Sequence, residues 1–218
     1  MLARHMGRSA LLLATFAVVG TGLVALTFTI TKTRIAEAER THMLQSLNAV
    51  IKPDSYDNDI FNDFIEVTAP DQLGTPVPVT VFRARRGEQP VAVAIIPTAP
   101  EGYVGPIKLL VGIDMNGTLL GVRVLSHKET PGLGDKIEER RSPWIFSFDG
   151  RSLKDPEPKA WRVRRDGGQF DQFTGATITP RAIVKAVYNT LQYFEANKLH
   201  LFTAPSEVPM THSSKGDS

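Results

Sequence analysis

From Ser9 to Ile30 the chain carries no charged residue, and Leu11 to Ile30 are 20 consecutive uncharged, mostly apolar positions. That length matches the roughly 20 residues a helix needs to cross the hydrocarbon core of a bilayer. The run sets an anchor apart from the rest of the 218 residues, and that remainder suits a single domain of about 150 residues. A cleaved signal peptide competes with this reading, because Arg4 and Arg8 precede the run and Ala36-Glu37-Ala38 imitates a cleavage site. Signal h-regions span only about 7–15 residues, so an uncleaved anchor is expected. Charge does not orient it: Arg4 and Arg8 flank one side, Lys32, Arg34 and Arg40 the other.

A net charge of +2 argues against nucleic acid as a partner. The chain has no cysteine, which excludes disulfides, thiolate-bound iron–sulfur clusters and thioether haem attachment. A redox role would therefore rest on an organic cofactor or a histidine-bound metal. His5, His42, His127, His200 and His212 are scattered without helical pairing, so no metal site is expected. Asp54, Asp57, Asp59 and Asp63 lack the central glycine and terminal glutamate of a calcium loop and read as a solvated loop.

Past the anchor, Ile35, Ala38, Leu44, Leu47 and Ile51 are spaced for one face of a helix over 34–50, ending before Pro53. From Val77 the pattern turns to strands at 79–85, 91–96, 107–115 and 118–125. The last two flank Asn116-Gly117, the strongest short-range hairpin signal. Strands followed by segregated helices predict an α+β fold with an antiparallel sheet. No Gly-x-Gly-x-x-Gly follows a strand, which weighs against a nicotinamide dehydrogenase. Residues 136–141 read as a solvated helix face, Trp144, Phe146 and Phe148 as core, and 161–165 as a short strand. Arg162, Arg164 and Arg165 read as a solvent-facing charge run rather than as phosphate ligands. The expected organisation is a stub at 1–8, a membrane helix at 9–31, a juxtamembrane helix and linker at 32–76, a domain at 77–203 and a disordered tail at 204–218.

Two segments look chemical. Thr174-Gly175-Ala176-Thr177 is small and flexible, so its backbone can approach a ligand closely. Thr179-Pro180 reads as a helix start, hydroxyl N-cap then N1 proline, ahead of an apolar face of Ile183, Val184, Val187, Leu191 and Phe194. The Thr177 hydroxyl thus precedes a helix N-terminus, where free N–H groups and the macrodipole favour a phosphate. Upstream, Pro131, Gly132 and Gly134 punctuate the run from His127 to Asp135. A plain turn explains those three; it explains His127, Glu129 and Thr130 less well.

Asp171-Gln172-Phe173-Thr174-Gly175-Ala176-Thr177, with His127-Lys128-Glu129-Thr130-Pro131-Gly132-Leu133-Gly134-Asp135 upstream, resembles the FMN-binding domain family. With the anchor and Phe170-Asp171-Gln172-Phe173, residues 9 to 200 resemble its members in Rnf/Rsx-type ion-translocating electron transport complexes. The resemblance implies a covalently attached FMN, joined through its phosphate to Thr177 by a flavin transferase, with Thr174 the rival hydroxyl. It implies that Gly175, Ala176 and Gly134 border the flavin, that Glu129 and Thr130 hydrogen-bond the ring or ribityl chain, and that Leu133 is an apolar neighbour. Asp171 would be read by the transferase or orient the loop. It further implies a single-pass protein of the bacterial inner membrane with a periplasmic domain, relaying electrons among other membrane and peripheral subunits and not catalytic alone.

Three other readings stand beside it. The flavin-carrying C component of the sodium-pumping NADH:quinone reductase shares the attachment signature, though Phe170 to Pro180 and the short chain lean away from it. In a flavin-free anchored scaffold, Thr-Gly-Ala-Thr would be a helix cap only. A hydrolase using Ser126, His127 and Glu129 is disfavoured: adjacent residues of an extended chain face opposite ways, and no Gly-x-Ser-x-Gly is present.

Overall fold

The computed structural model describes residues 2–207. The chain divides into two compact units, Met1–Met43 and Leu44–Ser218. Helix α1, Leu2–Val50, is continuous through the apolar run and the segment expected to form a separate juxtamembrane helix. Nothing in 31–50 breaks it, for neither glycine nor proline occurs there. It is long and apolar enough to cross a membrane by length and composition, and the apolar window has none of its residues buried in protein. Of the face expected over 34–51, only Leu47 and Ile51 are buried, with Val50 buried beside them, while Ile35 is half exposed.

The second unit is built on one antiparallel sheet. Its strands are β1 (Phe64–Val67), β2 (Val79–Arg86), β3 (Gln89–Ile95), β4 (Thr98–Ala99), β5 (Ile107–Asp114) and β6 (Leu119–Ser126). β1 pairs with β2 and β2 with β3. β3 and β4 lie successively along one edge of β5, and β6 lies along the other. The sheet therefore begins well before residue 77. Phe64 to Val67 is too short to show an alternating pattern by itself, and pairing with β2 is what makes it a strand.

The β5–β6 hairpin forms as expected, but its turn is of another type. Gly117 has φ of 81° and, among the described residues, no non-glycine residue has positive φ, so Asn116 cannot supply the other left-handed position of a type I′ turn. Asp114 instead organises a longer loop. Its Oδ1 accepts from the Asn116 and Thr118 N–H groups, each at 2.8 Å, and its carbonyl accepts from Gly117 N–H at 3.1 Å. Across the same hairpin Gly112 pairs with Gly121, and the missing side chains admit Val50. A Cβ on Gly112 would lie 3.0 Å from the Val50 Cβ.

Helix α2 (Pro70–Leu73) and helix α3 (Ile178–Thr203) pack together, and α3 lies against β4 and β5. Ile183, Val184, Val187, Leu191 and Phe194 are each no more than 1% exposed, the face expected from their spacing. Each such side chain contributes about 1.5–3 kcal/mol of burial. The C-terminal end of α3 is held by Arg83, itself 1% exposed. Its Nη1 donates to the Ala204 carbonyl at 2.6 Å, and Arg85 Nη2 donates to that of Phe202 at 2.9 Å. Asp63 binds both arginines, at 2.7 and 2.8 Å, and accepts from Ser206 at 2.6 Å.

Several local expectations are corrected. Asp63 is not part of a solvated acidic loop but the counter-ion of this clamp. Residues 136–141 do not form a helix: a 3₁₀ turn covers Gly134–Ile137, and Ile137 is fully buried. Residues 161–165 contribute a bridge, Val163 to Phe170, and a 3₁₀ turn rather than a strand. Residues 204–207 are tied down, with Glu207 N–H donating to the Phe64 carbonyl at 2.9 Å. The rest of the expected tail, from 208, lies outside the described residues.

The clamp has a pH signature. Burial alone would raise the Asp63 carboxyl, but hydrogen bonds from Ser206, Arg85 and Arg83, with the Arg83 charge, outweigh it and hold its pKa below the usual value. A carboxyl lowered on folding stabilises the folded state above its unfolded pKa, and the contribution fades as pH falls through the lowered value. Urea midpoints should therefore fall below about pH 4, and Asp63→Asn should flatten that acid limb.

Candidate functional site

The two segments singled out in the sequence meet at the N-terminus of α3. Glu129 is their junction and is 4% exposed. Its Oε1 accepts from Val104 N–H at 3.0 Å, and its Oε2 accepts from the Thr179 hydroxyl. Gly134 lies so close that a Cβ there would stand 2.8 Å from Glu129 Oε2 and 3.1 Å from Thr179 Oγ1. Leu133 approaches the second segment, its Cδ2 being 3.7 Å from where a Cβ on Gly175 would sit.

Thr179 is therefore not the N-cap that its sequence position predicts. It is fully buried, α3 begins at Ile178, and Thr177 stands at the cap with no side-chain capping bond. A hydroxyl cap is dispensable here because Thr179 gains more from a buried carboxylate than from its own helix. The consequence for Thr177 is direct. Its hydroxyl is half-buried, has no capping duty, and precedes a helix of 26 residues. The first intrahelical donor bond is Arg181 N–H to the Thr177 carbonyl at 3.3 Å. Ile178 and Thr179 thus have N–H groups without intrahelical acceptors, and Pro180 has none to satisfy.

Gly175 has φ of 82°, which reverses the chain and lets Ala176 N–H donate to the Phe173 carbonyl at 3.1 Å. Below the turn lies an aromatic floor. Phe173 packs edge-on to Trp144 at 5.2 Å between ring centres, and Trp144 likewise meets Phe148 at 5.4 Å. Trp144 Nε1 donates to the Asp171 carbonyl at 2.7 Å. Trp161 and Phe170 extend the floor to Tyr188 on α3. Sequence reading missed Trp161 and Phe170, whose surroundings are rich in proline, glycine and charge. Phe146 is 39% exposed beneath the Arg123 guanidinium, unlike its neighbours Trp144 and Phe148.

The remaining expected site residues divide by environment. Thr130 and Thr174 are exposed, and the Thr130 carbonyl accepts from both Leu133 and Gly134 N–H at 3.1 Å. The Asp171 carboxylate faces solvent and pairs with Arg164 at 3.0 Å. Arg162 and Arg165 are exposed too, as a charge run would be. His127 Nδ1 accepts from Glu129 N–H at 3.0 Å, so Nε2 carries the proton that is donated to Glu138 at 2.8 Å. Arg140 foremost, and then His127, hold the Glu138 carboxyl down to about 2. With both nitrogens of its imidazole hydrogen bonded to Glu138 and Glu129, His127 is not poised as a base for Ser126, and the hydrolase reading gains no support.

The crowding at Gly134 gives a sharp expectation. Gly134→Ala should cost about 1–3 kcal/mol in urea unfolding through overpacking, whereas Gly132→Ala should be governed by its positive φ alone.

Fold and site define an α+β domain that presents a free threonine hydroxyl at a helix N-terminus, carried behind a helix of membrane-spanning length. Residues 102–192 match the family model of the FMN-binding domain, and residues 1–50 match that of the RnfG N-terminal region. The G component of an ion-translocating oxidoreductase complex from Pseudomonas aeruginosa is 52% identical over 94% of this chain and 95% of its own length. The proteins of the same description from Vibrio cholerae and Shewanella amazonensis are 49% and 46% identical, each over 91% of this chain and over 95% and 92% of their own. The chain belongs to the RnfG family, the G components of ion-translocating oxidoreductase complexes.

Proposed function

We infer that this chain is the membrane-anchored flavoprotein subunit of an Rnf-type ion-translocating electron transport complex, and that its FMN is esterified through phosphate to Thr177. The observation that carries the covalent reading is the Thr177 hydroxyl, released from capping because Thr179 is bound to Glu129. The donor set suits a phosphate: two helix N–H groups and the dipole of α3 oppose its charge. Gly175 leaves space, since a Cβ there would touch only Leu133. Bound FMN accepts two electrons and passes them on singly, while the protein supplies position and tuning.

In this reading each neighbouring residue has a plain duty. Glu129 fixes the 127–134 loop to the start of α3, and Gly134 makes that approach possible. Thr130 and Thr174 are the exposed hydroxyls available to the ribityl chain, Thr174 being the less favoured attachment point because it lies further from the helix. Asp171 and its exposed partner Arg164 form the face that a flavin transferase would read during maturation. The domain lies on the periplasmic side of a bacterial inner membrane, and α1 carries it to the other subunits. A lone spanning helix offers no ion path, so translocation belongs to those partners.

Peptide mapping of the native protein tests this. Trypsin should release the 166–181 peptide with the added mass of one FMN ester, fragmentation placing it on Thr177. An unmodified 166–181 peptide from native membranes would refute the attachment.

A further inference from the structure

The ring of such a flavin needs a seat, and the segments that Glu129 joins at the start of α3 expose apolar side chains. Tyr103, Val104, Leu133 and Ile178 are 67%, 51%, 44% and 44% exposed. They come from three segments that Glu129 gathers: the turn before β5, the 127–134 loop, and the first residue of α3. The turn is bonded to this junction through its backbone, with an exposed ion pair beside it. Val104 N–H is bonded to Glu129, and Glu101 pairs with Lys185 of α3 at 2.7 Å. The bond to the buried Glu129 carboxylate thus places these exposed side chains beside the start of α3.

We propose that the Tyr103–Val104 turn seats the isoalloxazine ring, with Tyr103 as its aromatic partner and Leu133 and Ile178 as the apolar border. This rests on the Thr177 ester, which brings the ring to that surface. Glu129 offers the ring little surface, since it is 4% exposed and its oxygens already accept from Val104 and Thr179. The aromatic side chains beneath the attachment loop are excluded by packing, for Phe170, Phe173 and Trp161 are 3%, 8% and 5% exposed and Trp144 is enclosed as well. It is 8% exposed, its Nε1 is bonded to Asp171, and its ring is enclosed by Phe148 and Phe173. A flat heteroaromatic ring gains from an available aromatic face and apolar edges, and Tyr103 is the aromatic side chain here with a face to offer.

The test uses the full-length flavinylated protein in detergent, with occupancy measured first by intact mass. Tyr103→Leu should retain its flavin, while the ratio of released to seated ring, read from emission per flavin and quenching by iodide, rises about two- to tenfold, the factor to which one aromatic pair's free energy converts. Tyr103→Phe should keep the protection from iodide. Val104→Ser, which preserves the backbone bond to Glu129, should move iodide access in the same direction as Tyr103→Leu. Unchanged emission and iodide access in fully flavinylated Tyr103→Leu would overturn the seat, as would a rise confined to Trp144→Phe. Absence of covalent flavin from the unmutated protein would instead overturn the ester itself, so the two failures are separable.

Discussion

Thr177→Ala, coexpressed with the flavin transferase, should yield a folded protein with no covalent flavin and no fluorescent band on a denaturing gel. Thr174→Ala should remain flavinylated. The effect is all-or-none because a phosphoester needs a hydroxyl and alanine has none. Folding should be nearly untouched: Thr177 makes no capping hydrogen bond, so the usual cost of about 1 kcal/mol for deleting a threonine cap does not apply. Thr177→Ser restores the hydroxyl and is expected to recover at least part of the modification. Fluorescence retained in Thr177→Ala and lost in Thr174→Ala would move the attachment to the other hydroxyl.

The largest loss of stability is expected from Arg83→Met. Arg83 is almost wholly buried and links β2 to Asp63, Ser206 and the carbonyls of Leu201 and Ala204. Methionine fills much of the volume but takes one of the two arginines from Asp63, leaving it Arg85 and Ser206, and removes the donors to the Leu201 and Ala204 carbonyls. Breaking a buried pair from one side costs about 3–5 kcal/mol, or a fall of roughly 10 °C in Tm for a domain of this size. Arg86→Ala, on the exposed end of the same strand, should change stability by no more than about 0.5 kcal/mol. Equal losses for the two variants would show that the clamp carries no special weight.

Arg83 and Thr177 sit at opposite ends of α3, and together they show why one helix dominates this domain. Its apolar face is pressed on the sheet, its C-terminal carbonyls are held by arginines from β2, and its first turn is held by Glu129. The Thr177 hydroxyl, the proposed attachment point, thus stands on a helix whose ends are both fixed, so a group bonded there would inherit a defined position.

The apolar run of α1, the β5–β6 hairpin and the buried face of α3 were all legible in the sequence. Each rests on a local period or a turn residue, and short-range sterics with side-chain alternation are enough to set them. The paired motifs likewise pointed to the FMN-binding family to which the chain belongs. Tertiary structure alone decided what Thr179 and Asp63 do. Both have ordinary local readings, a helix cap and a solvated loop, yet each is claimed by a partner distant in sequence, Glu129 and Arg83. A buried carboxylate or guanidinium must find its counterpart wherever the fold brings one near, and that demand overrides a local preference worth about 1 kcal/mol.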